Sequence, residues 1–330
     1  MKLIKTEDAV GHVLCHDMTQ IIKDQYKDAR FRKGHVVTEE DIPVLLSMGK
    51  EHLYVWEMTS GMVHENDAAE RLLALCGQEN MIRSGVKEGK IELKAACDGV
   101  FLVDSARLVA VNSQDEVMIA TRKGGMAVRE GDKLAGMRVI PLIIEEEKLR
   151  KAEQAAGDKP LLSLKPYVRK TACIVATGGE VKKGLIKDTF TPVVIDKLKT
   201  YGIETLEVVY SGDGVENVRD AVLAMREKKP DMILCTGGMS VDPDDTTPSA
   251  IKQTGAEVVS YGAPVLPGAM LLVAYLKRNG RQIPVLGLPG CVMYAKRTIF
   301  DLVLPRIMCD EKLHEKDFRL LGQGGLCLSC

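Results

Sequence analysis

The residue types able to do chemistry gather in the second half of the chain, in three glycine-bearing stretches and one acidic run. Thr177-Gly178-Gly179-Glu180, Thr236-Gly237-Gly238-Met239-Ser240 and Leu288-Pro289-Gly290 each follow a run of apolar residues. Glycine permits positive φ and lets backbone N–H groups approach a ligand closely, which is how such loops cradle phosphate. Any one of them reads equally well as a tight strand-to-helix turn. Three of them, all at strand ends, point to a shared binding edge. Beside the second loop runs Asp242-Pro243-Asp244-Asp245-Thr246-Thr247-Pro248. Two accounts fit this run. In one, Asp245 or Thr247 caps a helix with Pro248 at its first position. In the other, a hard divalent cation relieves the repulsion among the acids, and that cation is Mg2+, because the spacing is not that of an EF-hand calcium loop. Glu180, Asp188 and Asp213 also follow the first two strands of this half and can reach the same edge.

The elements that must position these residues follow from the hydrophobic pattern. Beyond residue 160, strands at 172–177, 205–210, 231–235 and 283–288 alternate with helices at 192–200, 215–228 and 292–307. Such alternation specifies a mostly parallel, doubly wound α/β sheet, whose ligands bind outside the carboxyl ends of the strands. The first half has a different grammar. Thr38 can cap a helix over 39–48 that Gly49 ends, 52–56 reads as a strand, and 66–76 reads as a helix capped by Asn66. Strands at 91–96 and 100–103 flank Asp98-Gly99, a hairpin signal, with further strands at 116–120 and 138–144. This is a strand-rich α+β region. An exposed helix at 145–156 is broken by Gly157-Asp158-Lys159-Pro160, which sets the boundaries at 1–160 for the N-terminal region, 161–310 for the α/β domain and 311–330 for a C-terminal tail.

At these loops the second half resembles the molybdopterin-binding fold of MoeA-like molybdotransferases and MogA/MoaB-like adenylyltransferases, over about 140 residues by the count of matching motifs from Arg169 to Ile307. Ala176-Thr177-Gly178-Gly179-Glu180 is similar to the family's S-T-G-D/N-E loop. Thr236-Gly237-Gly238-Met239-Ser240-Val241 with Asp245 is similar to its T-G-G-x-S/G loop and following acid. Leu266-Pro267-Gly268 and Leu288-Pro289-Gly290 resemble the P-G-K-P and L-P-G-N-P signatures of the MoeA side. Asp213 resembles the acid after the second strand, and Asp188 that of the G-x-I-x-D segment.

The resemblance implies that Thr177, Gly178, Gly179, Asp188, Thr236, Gly237, Gly238, Ser240, Pro289 and Gly290 hold molybdopterin. It further implies that Asp245, Glu180 and Asp242 hold Mg2+, with Asp245, Glu180 and Asp213 as the catalytic acids. The implied function lies in molybdenum cofactor biosynthesis: insertion of molybdate into molybdopterin or its adenylated form by a homodimeric transferase. A non-catalytic carrier or sensor of the pterin, and a MogA-like adenylyltransferase, are the alternatives. The sequence departs from the pattern at Phe190, where the family has Asn, at Ala269-Met270 in place of Lys-Pro, and at Cys291-Val292 in place of Asn-Pro.

Composition excludes other classes. The chain has 330 residues, enough for about two domains at roughly 150 residues each, and 45% hydrophobic content supplies a core for both. Forty-five Lys and Arg against 46 Asp and Glu leave a charge of -1, which does not recruit nucleic acid. The longest apolar runs fall far short of the roughly 20 residues of a membrane span, and the start of the chain turns acidic too early for a signal peptide. Nine cysteines, mostly single and in apolar runs, suit a reducing cytoplasm. Cys327 and Cys330 form a lone C-x-x-C without a second pair, and His12, Cys15 and His16 read as ordinary strand residues rather than a metal site.

Overall fold

The computed structural model describes residues 2–22, 26–56, 60–240 and 245–326. Asp242 and the Cys327/Cys330 pair lie outside the described residues. The chain divides into two compact units, Met1–Cys97 with Phe101–Leu164, and Asp98–Val100 with Lys165–Cys330.

The first unit is built on antiparallel strands. A four-stranded sheet runs in the order Val117–Thr121, Lys133–Val139, Ile91–Ala95, Met81–Arg83. Its period-two alternation is visible in Ile91, Leu93 and Ala95, all buried, against the outward Glu92 and Lys94. Helices Glu65–Leu75 and Glu146–Ala156 cover the inner face, and Leu72, Leu73, Leu149 and Ala152 close one core with it. A separate cluster of Leu14, Leu45, Leu53 and Val55 holds the small sheet formed by Lys2–Lys5, His52–Trp56 and Val13–Leu14.

Several expectations are corrected here. Asp98-Gly99 joins no hairpin: Ile91–Ala95 pairs with Met81–Arg83 and Lys133–Val139, while Gly99–Val103 joins a different sheet. The expected strand at 138–144 is two strands, Lys133–Val139 and Ile143–Glu145, in different sheets. Thr38 is no helix cap; its N–H and hydroxyl donate to Asp41, at 2.8 and 2.9 Å, ahead of a helix confined to Asp41–Ser47. The helix at 65–75 is capped by His64, whose ring nitrogen accepts from the N–H of Asn66, so Asn66 lies inside it. Helix Ser105–Asn112, capped by Asp104, was not expected.

The second unit is a six-stranded sheet. In chain order its strands are β1 Thr171–Thr177, β2 Glu204–Ser211, β3 Met232–Thr236, β4 Glu257–Tyr261, β5 Leu272–Arg278 and β6 Arg281–Leu288. They are arranged β2-β1-β3-β6-β5-β4, with β5 antiparallel to both its neighbours. The sheet is therefore mostly parallel and the fold is α/β. Alternate residues of one strand enter different cores. Ala172 and Ile174 pack with the helices Phe190–Thr200 and Ile299–Met308, whereas Cys173 and Val175 pack with Val215–Glu227 and Thr247–Gln253. Both faces are thus covered, as parallel strands require.

Strands β4 and β5 occupy a stretch that sequence patterning left irregular. The expected helix at 292–307 begins only at Ile299, where Thr298 and Asp301 form a capping box; Gly290–Met293 is a 3-10 turn before it. Residues 311–326 pack onto the unit rather than trail from it, with Leu313 and Phe318 in its core. Among the described residues, no helix is long and apolar enough to cross a membrane.

Candidate functional site

Strand register brings the three glycine loops side by side. Thr177 pairs with Ser211, Ala176 with Thr236, and Thr236 with Leu288, so β1, β2, β3 and β6 end at one edge. The loop after β1 and the loop after β2 are joined through Asp213, whose two carboxylate oxygens accept from the N–H of Gly179 at 3.0 and 2.9 Å.

The Gly237-Gly238 loop is held on both sides by threonines. Thr177 Oγ1 donates to the Thr236 carbonyl at 2.9 Å, and Thr247 Oγ1 donates to the Gly237 carbonyl at 2.9 Å. Thr247 N–H adds a bond to the Gly238 carbonyl at 3.1 Å. Both glycines have positive φ, and a Cβ on Gly237 would lie 2.6 Å from the Thr177 carbonyl oxygen. Close packing against Thr177 and Thr247 therefore requires these glycines already. Thr247 is the first residue of its helix, with Pro248 in the first turn, and among the described residues no side chain caps that helix; this corrects the capping account of Asp245 and Thr247. At the third loop Pro289 is buried, whereas Gly290 is exposed and open space faces it.

The acids divide into engaged and unengaged groups. Asp188 Oδ1 accepts from the N–H groups of Phe190 and Thr191, at 2.9 and 3.0 Å, and so caps the helix Phe190–Thr200. Its Oδ2 and the neighbouring Thr191 hydroxyl are buried and have no hydrogen-bond partner among the described residues. Glu180 is exposed and Asp245 half-buried, and no described group bonds to either carboxylate. Ser240, at the end of the second loop, is exposed. No three His, Cys, Asp or Glu side chains are grouped as metal ligands among the described residues, those of His12, Cys15 and His16 included. Mg2+ commonly keeps waters and takes one or two carboxylates together with ligand phosphates, and Glu180 and Asp245 are carboxylates of these loops to which no described group bonds.

Two contributors escaped the sequence reading. Tyr210, the penultimate residue of β2, is half-exposed; burial and the nearby Asp188 carboxylate push its phenol above the usual range. Lys182 lies over Gly212, with Cδ and Nζ 3.7 and 3.9 Å from where a Cβ on that glycine would stand. Its position just after Gly179-Glu180 was the available signal. Thr189 Oγ1 meets Met293 Sδ at 3.3 Å, tying the segment after β1 to the turn after β6.

Comparison with known proteins agrees with this architecture. Residues 173–308 match the model described as a probable molybdopterin binding domain, and residues 3–57 match a domain of unknown function, DUF8806. A molybdopterin molybdenumtransferase of Synechococcus elongatus is 24% identical over 199 residues, which are 57% of this chain and 47% of that protein. A Bacillus cereus protein named for competence-damage induction is 30% identical over 109 residues, 33% of this chain and 26% of that protein. The chain thus spans less than half the length of either relative. The molybdopterin biosynthesis enzyme MoaB of Thermus thermophilus aligns over 42% of this chain and 91% of its own, at 18% identity and a TM-score of 0.33. By the match of residues 173–308 to the probable molybdopterin binding domain, the second unit is similar to the MoeA/MogA-like molybdopterin-binding domains, and it has the mostly parallel α/β sheet expected of them.

Proposed function

We propose that this protein binds molybdopterin, free or adenylated, at the carboxyl edge of the second-unit sheet and inserts molybdate into it in an Mg2+-dependent transferase reaction. The observation that carries the reading is the convergence of the loops Thr177-Gly178-Gly179, Thr236-Gly237-Gly238-Met239-Ser240 and Pro289-Gly290 on one edge, with two unengaged carboxylates, Glu180 and Asp245, beside them. Backbone N–H groups of such loops suit the pterin phosphate. Asp213 and Asp188, both occupied by backbone N–H groups, act as positioning acids that fix the loops. Glu180 and Asp245, completed by ligand oxygens, would hold Mg2+, which when bound neutralises charge between molybdate and the anionic pterin.

The test is anaerobic incubation of the protein with adenylated molybdopterin, Mg2+ and molybdate, following AMP release and reactivation of a molybdenum-free acceptor enzyme. Both products together support the transferase. Pterin binding without either product supports the carrier reading, which the departures at Ala269, Met270 and Cys291 favour. ATP consumption without molybdate supports an adenylyltransferase. Asp245→Ala should retain pterin binding and lose the metal-dependent turnover; unchanged turnover in the folded variant removes Asp245 from its role.

A further inference from the structure

The first unit holds a polar cleft of about 330 Å3 lined by Asp17, Arg32, Lys33, Glu65, Glu88 and Arg138. Glu65 opens the helix Glu65–Leu75 and is only 8% exposed. Backbone wraps it closely: a Cβ on Gly89 would lie 2.6 Å from its Cδ, and one on Gly34 3.1 Å from its Oε1, and both glycines have positive φ. Despite that enclosure, no described N–H or hydroxyl donates a hydrogen bond to the carboxylate. The described cations that act on it are Arg138, whose Nη2 stands 3.9 Å from Oε2, beyond hydrogen-bond reach, and Lys33, which acts only through its charge. A carboxylate this enclosed, whose oxygens keep only the access that the cleft gives them and accept no described hydrogen bond, is costly, so a donor entering through the cleft would relieve it.

The rest of the cleft is lined by the cations Arg32, Lys33 and Arg138 and by the acids Asp17 and Glu88. Arg32 and Lys33 are exposed, and Arg32 pairs only loosely with Glu88, at 3.9 Å with both side chains more than 60% exposed. Solvent screens such a pair, leaving the guanidinium available to a ligand. The Asp17 carboxylate is already engaged, accepting from the Lys33 N–H at 2.7 Å. A simple anion entering here would meet Glu65, and a simple cation would meet Arg32, Lys33 and Arg138. A molecule bearing both charges meets neither conflict. The volume lies at the small end of ligand clefts and suits a free metabolite rather than a peptide segment.

We propose that this cleft binds a small zwitterion of the α-amino-acid class, its ammonium group donating to Glu65 and its carboxylate lying against Arg138 and the rim cations Arg32 and Lys33. The charge-assisted bonds at both ends give the selectivity, since an analogue lacking either charge leaves one partner unmatched.

The test is calorimetric titration of the full-length protein with each proteinogenic L-amino acid in turn. At least one should bind, and both its carboxamide and its deaminated acid should bind at least about tenfold more weakly. Glu65→Gln should lower that affinity by a similar factor with the circular dichroism unchanged. Should that buried variant fail to fold, Arg32→Ala with Lys33→Ala, both on the exposed rim, provides the second arm, with a loss of affinity that diminishes as salt is raised. Absence of binding by every amino acid overturns the proposal, as does binding that neither Glu65→Gln nor the rim variant alters.

Discussion

The N–H of Gly179 donates to both carboxylate oxygens of Asp213, at 3.0 and 2.9 Å, across the ends of two neighbouring parallel strands. One residue follows β1 and the other follows β2, so a single donor fixes the relative position of two loops. The glycine is required by the same contact, because a Cβ at position 179 would collide with Asp213 Oδ2. An acid bound in this way orients the loops rather than serving as a free metal ligand.

Gly179→Ala and Asp213→Ala should therefore act on one interaction. Each should weaken molybdopterin binding by about 1.5–3 kcal/mol, the scale of a hydrogen bond to a charged group. The double variant should be little worse than either single one. Strictly additive losses in a double-mutant cycle would show that the two residues act separately.

Gly237→Ala should cost stability before it costs function. The position has φ +86, and the added methyl would come 2.6 Å from the Thr177 carbonyl and 2.7 Å from its hydroxyl. Backbone strain together with displacement of Thr177 should lower the unfolding free energy by about 2–3 kcal/mol. Urea denaturation reads this directly; a midpoint within error of the parent would mean that the loop relaxes freely.

Much of the second unit was legible because its strands are buried on both faces and read as continuous apolar runs, as in Ala172 to Ala176. The alternation of such runs with helices required a parallel sheet. Strand β4 escaped because Glu257–Tyr261 sits at a sheet edge and lacks a buried run, and β5 because its antiparallel placement breaks the alternation. The Asp98-Gly99 signal failed for a tertiary reason: the turn is local, but the strand after it finds its partners in Met126–Val128 and Leu162–Pro166. At the site, the glycine loops could be found from sequence, since glycine spacing is local information. The commitment of Asp213 to Gly179 and of Asp188 to its own helix could not, because both depend on which backbone N–H groups the fold leaves without a partner. Glu65 is the opposite case, an unremarked glutamate in a polar stretch that becomes notable only through burial.

Acid should weaken the second unit at Asp231. Burial pushes this carboxyl upward, but the N–H groups of Lys170 and Thr171, the Thr171 hydroxyl and Arg281 outweigh it, and its pKa is lowered overall. A lowered folded-state pKa means that the unfolded chain binds the proton more readily. The contribution is therefore complete above the unfolded value of about 3.9 and is lost as pH falls through the lower folded value. Asp231→Asn should cost about 1–2 kcal/mol near neutrality. The gap to the parent should close between about pH 5 and pH 2. A gap that stays constant over that range would assign the loss to packing rather than charge.

Lys182 should supply the cation that the sequence lacks at Ala269. Its ammonium lies over Gly212, between the loops after β1 and β2, and no acid is paired with it among the described residues. An unpaired lysine on a glycine floor at this edge is suited to a phosphate, which it meets as a point charge with no fixed geometry. Lys182→Ala should weaken molybdopterin binding about three- to tenfold at low salt, and the difference should shrink as added salt screens the exposed charge. Lys182→Arg should recover most of the loss, because charge and reach are retained and no bidentate partner is demanded. Equal affinities for parent and alanine variant at low salt, in a protein that binds the pterin, would place the phosphate away from this lysine and move the search to Lys296 and Arg297 beyond β6.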